Sequence, residues 1–341
     1  MMKHSGKIKS SVALDIGSHS VKMIEISGAA GNPSLVSFGI RKVDGSSGDA
    51  QAEAIRGLSE ELKIDLKETG ISLSGPSVVV RVISMPDMTD EDLKNAVRFE
   101  TEKSIPFDIN ECMFDFYIQG KDAREKNNLN ILLAAAKKDS VLAKVKAAED
   151  AGFRVNVVDV DGFAVTNAFL KNYPAIEPAK TIALLNIGAT CTNLVISSGG
   201  LILFVRDLAI GVNAISAAIY KKCGTLPDLS DGMNKIPAEK ITEMEACAKS
   251  ALVSLLDEIK LSFGYHENQS GRGVDEIYIS GGGAGFIGME AAFREMFGMK
   301  PERWDPLKFL MAGSSVDPGE TAKSSGSFAI CAGLALRGGA W

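Results

Sequence analysis

LDIGSHSVK, at residues 14–22, is the stretch that decides the fold of this 341-residue chain. An apolar run at residues 12–14 leads into the polar turn, and a second apolar run at residues 21–26 follows it. Two apolar runs separated by a few turn residues that include glycine are typical of a β-hairpin. The stretch therefore predicts a strand, a tight turn and a second strand.

The residue types in this turn suit an anion. Gly17 allows a close approach of the backbone or a positive φ, and Ser18 and Ser20 bring hydroxyls and turn amides that can point at a phosphate. Lys22 adds a positive charge, and Asp15 is suited to a hydrated Mg²⁺ ion. Two interpretations are open at this point: a phosphate-binding hairpin, and an ordinary hairpin with a Gly-Ser turn.

The hairpin pattern occurs a second time, at residues 182–196. An apolar strand again ends in Ile-Gly, passes through a small polar turn and continues as an apolar strand. Each copy is followed by a third candidate strand (residues 34–43 and 201–207) and then by a helical stretch. Internal repetition is a signal of the fold itself, and here it predicts two β-β-β-α halves with two phosphate hairpins across one cleft. The candidate residues of the second hairpin are Gly188, Ala189, Thr190 and Thr192.

A glycine-rich turn fits the same cleft. A short predicted strand at residues 275–280 runs into Gly281, Gly282 and Gly283, and a helix is predicted at residues 286–297. A Gly-rich turn between a strand and a helix lets a flat ligand lie against the backbone near a helix N-terminus. The stretch is not a Walker loop, because no Gly-Lys-Ser/Thr follows.

Two Asp-Ile-Gly-type hairpins with a late Ser-Gly-Gly-Gly-Ala turn resemble the actin-like ATPase superfamily, which includes actin, sugar kinases and FtsA. Within it, the sequence resembles the PilM family of type IV pilus assembly proteins, and EKSIPFDINE (102–111) is the family-specific part. The matching stretches run almost end to end. They are DIGSHSVKMIEIS (15–27), MPDMTDEDLKNAVRFETEKSIPFDINE (85–111), VVDVDGFAVTNAF (157–169), LNIGATCTNLVI (185–196), YISGGGAGFIG (278–288) and FAICAGLALRG (328–338).

The resemblance implies an α/β protein with the actin-like ATPase fold, in which two ribonuclease H-like lobes flank a nucleotide cleft. It also implies an inserted α+β subdomain, called 1C, of the FtsA and PilM kind. The expected parts are residues 1–76 and 153–180 for the first lobe (1A), 77–152 for 1C, 181–211 and 269–341 for the second lobe (2A), and 212–268 for the helical subdomain 2B.

The residue pattern before position 153 supports an insertion. Apolar spacing predicts a core-facing helix at residues 53–68. A strand at 77–85, a helix at 90–104 with Thr89 as its N-cap, a hairpin over 113–136 and a helix at 140–151 then make a compact α+β unit.

For the cleft, the resemblance implies Mg·ATP. Amides near residues 17–20 and 188–192 would hold phosphates, Asp15 would hold Mg²⁺ through water, and Lys22 would neutralise charge. The turn at residues 281–283 would face the adenosine. Glu258 and Ser262, with Lys260 beside them, are candidates for contact with the nucleoside; an ordinary solvated helix face is the open alternative.

Position 186 departs from the superfamily pattern. It is Asn, where the second hairpin of the superfamily usually starts with Asp. Asn cannot act as a general base and is a weaker partner for Mg²⁺. The sequence therefore predicts nucleotide binding with slow or absent hydrolysis, and it leaves the catalytic residues unassigned.

The resemblance also implies a partner. In the PilM family, the groove between 1C and the first lobe takes the N-terminal cytoplasmic peptide of PilN, a bitopic inner-membrane protein, and an extended peptide in an apolar groove is a known mode of recognition. Arg81, Phe99 and Ile105 are candidate groove residues, although burial in the subdomain core is favoured for the last two. Other inner-membrane components of the pilus and motor ATPases are further candidate partners.

Two other functions stay open: an FtsA-like filament-forming protein and a small-molecule kinase of the same superfamily. Asn186 argues against the kinase. The filament protein FtsA anchors itself by a C-terminal amphipathic helix, and residues 336–341 leave no room for one.

Composition sets further bounds. A net charge of −6 makes a nucleic-acid partner unexpected. Five scattered cysteines without a Cys-x-x-Cys pair predict reduced thiols rather than a disulfide framework. No apolar run reaches the roughly 20 residues needed to cross a bilayer, so direct membrane insertion is not expected. The protein is expected to be cytoplasmic and peripheral at the inner membrane through its partner.

Overall fold

A computed structural model describes residues 9–29, 31–45, 47–122, 125, 127–223, 238–313, 316–317, 319, 321 and 324–338. In chain order the elements are β1 (Lys9–Ile16), β2 (Ser20–Ala29), β3 (Asn32–Lys42), α1 (Gly48–Glu61), β4 (Glu68–Leu73), β5 (Val78–Pro86), α2 (Asp90–Ser104), β6 (Cys112–Lys121), β7 (Asn128–Lys137), α3 (Lys138–Asp150), β8 (Arg154–Val160), α4 (Asp161–Asn172), β9 (Thr181–Ile187), β10 (Thr192–Ser198), β11 (Leu201–Leu208), α5 (Val212–Cys223), α6 (Ala238–Ser270), β12 (Glu276–Ser280), α7 (Met289–Phe297), β13 (Glu302–Arg303), β14 (Met311–Ala312) and α8 (Ala329–Gly338).

Two of the sheets share one topology. The first sheet has the strand order β14-β3-β2-β1-β4-β8, and the second has the order β11-β10-β9-β12-β13. In both, the first three strands along the chain form an antiparallel meander. The next two strands run parallel to the first strand of that meander. The predicted repeat of two equivalent halves is confirmed.

The helices α4 and α8 lie between these two sheets. Their buried side chains, such as Phe169 and Leu334, share one apolar core with Ile24 of the first sheet and Leu184 of the second. On the outer face of the first sheet, α1 and α3 cover a second core, and together they form the first lobe. The second sheet with α5, α6 and α7 forms the second lobe around a third core. The two lobes are therefore joined through a continuous apolar centre.

The third sheet, of order β5-β7-β6, is inserted between β4 and α3. One of its faces is covered by α2, through Leu93 and Val97. The opposite face packs on the central core through Val80 and Leu132. The predicted helix at residues 90–104 is confirmed together with its cap, because Thr89 Oγ1 accepts a hydrogen bond from the amide of Asp92 at 3.3 Å.

The helix predicted at residues 53–68 is wrong at both ends. Helix α1 spans Gly48–Glu61, with Ser47 as its N-cap, and Lys63 has a left-handed φ of 54° just beyond its end. The prediction missed β4, which pairs with β1 and β8 in the middle of the first sheet. Leu62 and Leu66 continue the helical spacing of apolar residues, and only the pairing in the sheet decides that the chain is extended from residue 68 onward.

Smaller differences between predicted and observed elements occur in the C-terminal half of the chain. Helix α7 begins at Met289, three residues later than predicted, because a turn that ends at Gly288 with φ +78° precedes it. Strands β13 and β14 have two residues each and were not predicted. Elements that short are defined by their pairing partners rather than by their own sequence. Residues 224–237, within the predicted subdomain 2B, lie outside the described residues.

The prediction for the cysteines is wrong at one position. Cys112, Cys191 and Cys331 are free thiols, as expected, but Cys247 is disulfide-bonded. Spacing along the chain does not reveal which cysteines approach one another in the fold. Among the described helices, none combines the length and the apolar character required to cross a membrane.

Candidate functional site

The two hairpin turns have the same internal geometry. The amide of Gly17 donates to the carbonyl of Ser20 at 3.1 Å, and the amide of Gly188 donates to the carbonyl of Cys191 at 2.9 Å. A Cβ atom at either glycine would lie within 3 Å of that same carbonyl oxygen, at 2.8 and 2.9 Å. Each turn therefore requires glycine at its first position, which explains why the Ile-Gly pair repeats.

The turns meet across a cleft between the lobes. Ser18 Oγ and Thr190 Oγ1 are 3.0 Å apart. The cleft encloses a cavity of about 910 Å³, within the range typical of ligand sites. Ten of the predicted residues line it: Asp15, Gly17, Ser18, Ser20, Lys22, Gly188, Ala189, Thr190, Gly281 and Gly282.

Backbone amides are available in both turns. In the described part of the chain, the amides of Ser18, His19, Ala189 and Thr190 take no part in backbone hydrogen bonds. Turn amides left over in this way are donors that can hold an anion. Two such turns facing one cavity fit a ligand with several phosphate groups.

Asp15 and Lys22 form an ion pair at the base of the first hairpin. Lys22 Nζ lies 2.8 Å from Asp15 Oδ2, and the two residues are directly opposite one another in the β1–β2 register. Burial alone would lower the pKa of Lys22, but the attraction and hydrogen bond of Asp15 outweigh it, so the pKa of Lys22 is raised. The described residues contain no cluster of three or more His, Cys, Asp or Glu side chains that could hold a metal ion. A Mg²⁺ ion at Asp15 would thus need water and phosphate oxygens to complete its shell.

The glycine-rich turn closes one end of the cavity. Gly281 has φ +89°, and a Cβ atom there would lie 2.4 Å from the carbonyl oxygen of Ile187. Close packing of this turn on the end of β9 is therefore possible only with glycine. Gly283 is required for packing as well, since a Cβ atom would lie 2.5 Å from the side chains of Ile187 and Val212, but it does not line the cavity.

Three other predicted residues also lie outside the cavity lining. Thr192 is fully buried, and its hydroxyl donates to the carbonyl of Ile210 at 2.8 Å. Glu258 and Ser262 on α6 are both bound by Arg206 of β11, at 2.6 and 3.0 Å. Their helix packs against the outer strand of the second sheet, so the predicted contact of Glu258 and Ser262 with a nucleoside has no counterpart in this cavity.

The floor of the cleft contains four linked polar residues, of which the sequence interpretation singled out Asn186 alone. Ser280 Oγ donates to Asn186 Oδ1 at 3.3 Å, and Asn186 Nδ2 donates to Asn193 Oδ1 at 2.9 Å. Asn193 Nδ2 donates to Asp207 Oδ1 at 2.8 Å. We call these four side chains the amide chain. They come from the adjacent strands β12, β9, β10 and β11, which only the sheet order brings together.

Two carboxylates in the cleft were also missed. Asp207 is partly buried, and the loss of solvation raises its pKa to about 6, although hydrogen bonds from Asn193 and from the amide of Gly75 oppose the shift. Asp161, at the start of α4, accepts a hydrogen bond of 2.5 Å from Ser72 Oγ. Both line the cavity, as does Lys144. A carboxylate that follows an apolar strand is the one signal in the sequence that could have marked them.

Comparison with known proteins bears on both fold and family. The sequence matches the family described as type IV pilus assembly protein PilM over residues 13–339. A chain of the PilM-PilN type IV pilus biogenesis complex is 26% identical with a TM-score of 0.83, and the match covers 96% of this chain and 98% of that one.

Two more distant structures match with lower identities and TM-scores. The ethanolamine utilization protein EutJ from Carboxydothermus hydrogenoformans has a TM-score of 0.54 at 11% identity, over 96% of this chain and 89% of that one. A Bacteroides thetaiotaomicron protein with an actin-like ATPase fold and unknown function has a TM-score of 0.45 at 7% identity, over 89% and 94% of the two chains. The α/β chain described here has the actin-like ATPase fold and belongs to the family of type IV pilus assembly protein PilM.

Proposed function

We propose that this protein is an ATP-binding adaptor of type IV pilus assembly, which docks the N-terminal cytoplasmic segment of a PilN-type inner-membrane protein and hydrolyses ATP slowly or not at all. The observation that carries the proposal is the pair of equivalent glycine turns facing one cavity, in a chain similar over 96% of its length to a chain of the PilM-PilN complex. In this proposal the inserted subdomain is the part of the predicted residues 77–152 that precedes α3, because α3 packs in the core of the first lobe. The protein reaches the inner membrane through its partner.

The cavity residues fit Mg·ATP in the following way. The unused amides of residues 18–19 and 189–190 would hold phosphate oxygens, and Lys22 would balance their charge. Asp15 would hold Mg²⁺ through water, and Gly281 and Gly282 would lie against the nucleoside. Bound in this way, the nucleotide would be a charged ligand that contacts both lobes.

We infer slow hydrolysis from the side chain of Asn186 and its hydrogen bonds. Its amide donates to Asn193 and its carbonyl accepts from Ser280, so both ends of the side chain are engaged within the amide chain. An amide is also unable to accept a proton from an attacking water. We expect phosphate release well below about 1 per second, the lower end of typical enzyme turnover. Multiple turnover at ordinary enzyme rates would contradict this part of the proposal.

The inserted sheet offers a surface for the partner segment. On the face that packs on the central core, Met113 and Tyr117 of β6 are in register with Ala136 and Leu132 of β7. Leu132 is buried, whereas Met113 is 44% and Tyr117 is 68% exposed. The face thus continues past the covered area along an outer strand, as two exposed apolar side chains with the exposed Asp115 between them, where an extended segment can lie. We call this exposed part the β6 strip.

The groove residues suggested by the sequence, Arg81, Phe99 and Ile105, lie on the opposite side of this sheet. Arg81 is in register with Leu133, on the side of α2, and Ile105 is buried on that side, as expected. The expectation that Phe99 is buried is wrong, since it is 59% exposed on α2 beneath the ammonium group of Lys103. The α2 stripe turned to the sheet is Leu93, Val97 and Thr101, and Phe99 falls outside it.

A titration tests the proposal. The purified protein is titrated with a synthetic peptide of the N-terminal segment of the PilN-type protein from the same organism, with and without Mg·ATP. We expect saturable binding in both conditions. Tyr117→Ala should weaken binding by about tenfold or more, because a large exposed aromatic group in an interface is a typical hot spot.

Phe99→Ala is the matched control, since it removes another exposed aromatic group from the other side of the subdomain. Equal effects of the two substitutions would move the docking site away from the β6 strip. Binding of Mg·ATP without any binding of the peptide would leave the nucleotide site in place and remove the adaptor role. In that case light scattering with ATP and a screen of small-molecule phosphate acceptors would test the filament and kinase alternatives.

A further inference from the structure

The amide chain continues beyond the second lobe. Asp207 accepts two hydrogen bonds, from Asn193 Nδ2 at 2.8 Å through Oδ1 and from the backbone amide of Gly75 at 2.6 Å through Oδ2. Gly75 belongs to the first lobe side of the cleft, in the turn that joins β4 to β5, and has φ +89°. One carboxylate therefore connects the strand after the second hairpin to the turn at which the inserted sheet begins.

The direction of every hydrogen bond in the amide chain is set by this carboxylate. A carboxylate only accepts, so Asn193 must turn its NH₂ group toward Asp207 and its carbonyl toward Asn186. Asn186 in turn presents its NH₂ group to Asn193 and its carbonyl to Ser280. Loss of the acceptor at Asp207 would therefore remove the group that fixes the orientation of both Asn193 and Asn186.

The inserted sheet is tied to β11 at a second point. Gln119 of β6 donates from Nε2 to the carbonyl of Ile202 at 2.9 Å and accepts the amide of Ile202 through Oε1 at 2.8 Å. Strand β11 is thus bonded to the inserted sheet near its beginning, through Gln119, and near its end, through Asp207 and Gly75. A movement of β11 cannot leave the inserted sheet unaffected while both ties hold.

The turn around Gly75 is itself well defined. The carbonyl of Gly75 accepts the amide of Val78, and the carbonyl of Ser77 accepts the amide of Lys137 at the end of β7. Lys144 Nζ, from α3, donates to the carbonyl of Ser72 at 2.9 Å. A displacement of Gly75 caused by Asp207 would therefore displace both β5 and β7 of the inserted sheet, to which this turn is hydrogen-bonded.

The geometry points to Asp207 as the residue that couples the second phosphate hairpin to the inserted subdomain, so that nucleotide in the cleft changes the affinity of the β6 strip for its peptide. Asn186 and Asn193 flank the second turn on β9 and β10 and line the cavity, so a ligand there contacts the same strands that the amide chain crosses. This inference rests on the proposed function and adds its regulation. Asp207 acts through other groups and is a positioning residue.

The test compares coupling in the wild type with coupling in Asp207→Asn. Asn193 and the Gly75 amide donate to different oxygens of Asp207, and Asn has only one oxygen, so the variant can keep one of these two bonds but not both. In the wild type we expect Mg·ATP to change the Kd of the peptide by about fivefold or more, the lower range of typical coupling between sites. In Asp207→Asn we expect Mg·ATP to change the Kd of the peptide by less than about twofold. We call this change the coupling factor, and we expect the variant to retain peptide binding in the absence of nucleotide.

Asp275→Asn is the matched control. Asp275 also accepts a backbone amide in the second lobe, that of Thr181 at 2.8 Å, but at the opposite end of the sheet from the cleft. Its substitution should leave the coupling factor at the wild-type value. Asn193→Ala interrupts the amide chain one step earlier and serves if Asp207→Asn does not fold; it should abolish the coupling while the Asp207–Gly75 bond remains.

Hydrogen exchange gives a readout that a loss of general stability would not produce. In the wild type, Mg·ATP should change the exchange rate of the amides at residues 75–80, and in Asp207→Asn it should not. Retention of the coupling factor in Asp207→Asn, or a wild type that binds both ligands with no coupling, would overturn this inference alone. A wild type that binds neither ligand would overturn the proposed function, and this inference with it.

Discussion

At the scale of single residues, the cleft floor is organised by one acceptor-only side chain. Asp207 orients Asn193, and Asn193 orients Asn186. Position 186 is therefore suited to an amide, because it must donate to Asn193 and accept from Ser280 at the same time. The departure from the superfamily at this position is thus matched by its surroundings.

Asn186→Asp tests that matching. The new carboxylate would face Asn193 Oδ1, and Asn193 could turn its NH₂ group toward it only by losing its bond to Asp207. We expect the free energy of unfolding to fall by about 1–3 kcal/mol, the usual cost of an unsatisfied buried polar group, as measured by urea denaturation. ATP hydrolysis should increase, because the amide at position 186 is the proposed cause of slow turnover. An unchanged rate would show that another feature of the cleft limits turnover.

Asp207 also gives a pH dependence of stability. Its pKa is raised from 3.8 to about 6 by burial; Asp161 adds to the shift, and Lys144 and the hydrogen bonds from Asn193 and Gly75 oppose it. Between about pH 4 and 6 the folded state holds this proton while the unfolded state does not. The contribution of the group to the free energy of unfolding therefore falls as the pH rises through that window and is constant above it.

The measurement is the difference in unfolding free energy between the wild type and Asp207→Asn as a function of pH. That difference should decrease by roughly 2 kcal/mol from pH 4 to pH 7, most of it below pH 6. It should not change between pH 7 and 8, where Asp207 is ionised in both states. A difference that is flat across the lower window would show that Asp207 titrates near its ordinary value.

At the scale of elements, the contact between α4 and α8 is set by a single glycine. A Cβ atom at Gly333 of α8 would lie 1.7 Å from the carbonyl oxygen of Ala164 in α4. Both helices lie between the two sheets, so their spacing also sets the spacing of the lobes. No other residue type fits at this crossing without moving a helix.

Gly333→Ala should lower the free energy of unfolding by about 3 kcal/mol or more, at or above the upper range for overpacking a core. Gly264→Ala is the control, because Gly264 lies within α6 and a Cβ atom there meets no atom within 4 Å. That substitution should stabilise the protein by roughly 0.5–1 kcal/mol through helix propensity. Both are measured by denaturant unfolding, and a neutral Gly333→Ala would show that α4 and α8 separate at little cost.

At the scale of the whole molecule, the two lobes contact one another across the cleft through few polar bonds. The hydroxyls of Ser18 and Thr190 link the two hairpin turns, and the hydrogen bond from the Gly75 amide to Asp207 links the two sides of the cleft at its floor. A ligand held by both hairpins would favour the closed arrangement by its greater affinity for it. Nucleotide binding should accordingly appear as stabilisation of the folded protein.

Asp15→Ala tests the position of the metal. At a Mg·ATP concentration of 100 times the Kd, the wild type should gain about 2.7 kcal/mol of stability, measured as a shift in the unfolding transition. In Asp15→Ala we expect the Mg²⁺-dependent part of this gain to vanish. ATP with a chelator provides the comparison for both proteins. An unchanged Mg²⁺-dependent gain in the variant would place the metal away from the first hairpin.

The sequence by itself determined the repeated strand-turn-strand units, helix α2 with its Thr89 cap, and the ten residues that line the cleft beside the three turns. These features depend on neighbours within a few positions, since turns need glycine and caps need a hydroxyl at set places.

Only the tertiary structure decided what depends on distant partners. Strand β4 is extended because β1 and β8 flank it, although the apolar spacing of the residues before it is typical of a helix. Thr192, Glu258 and Ser262 lie outside the cavity lining because of how their strand and helix pack. The amide chain exists because four strands far apart in sequence are adjacent in space, and hydrogen bonds act over about 3 Å regardless of the chain length between their ends.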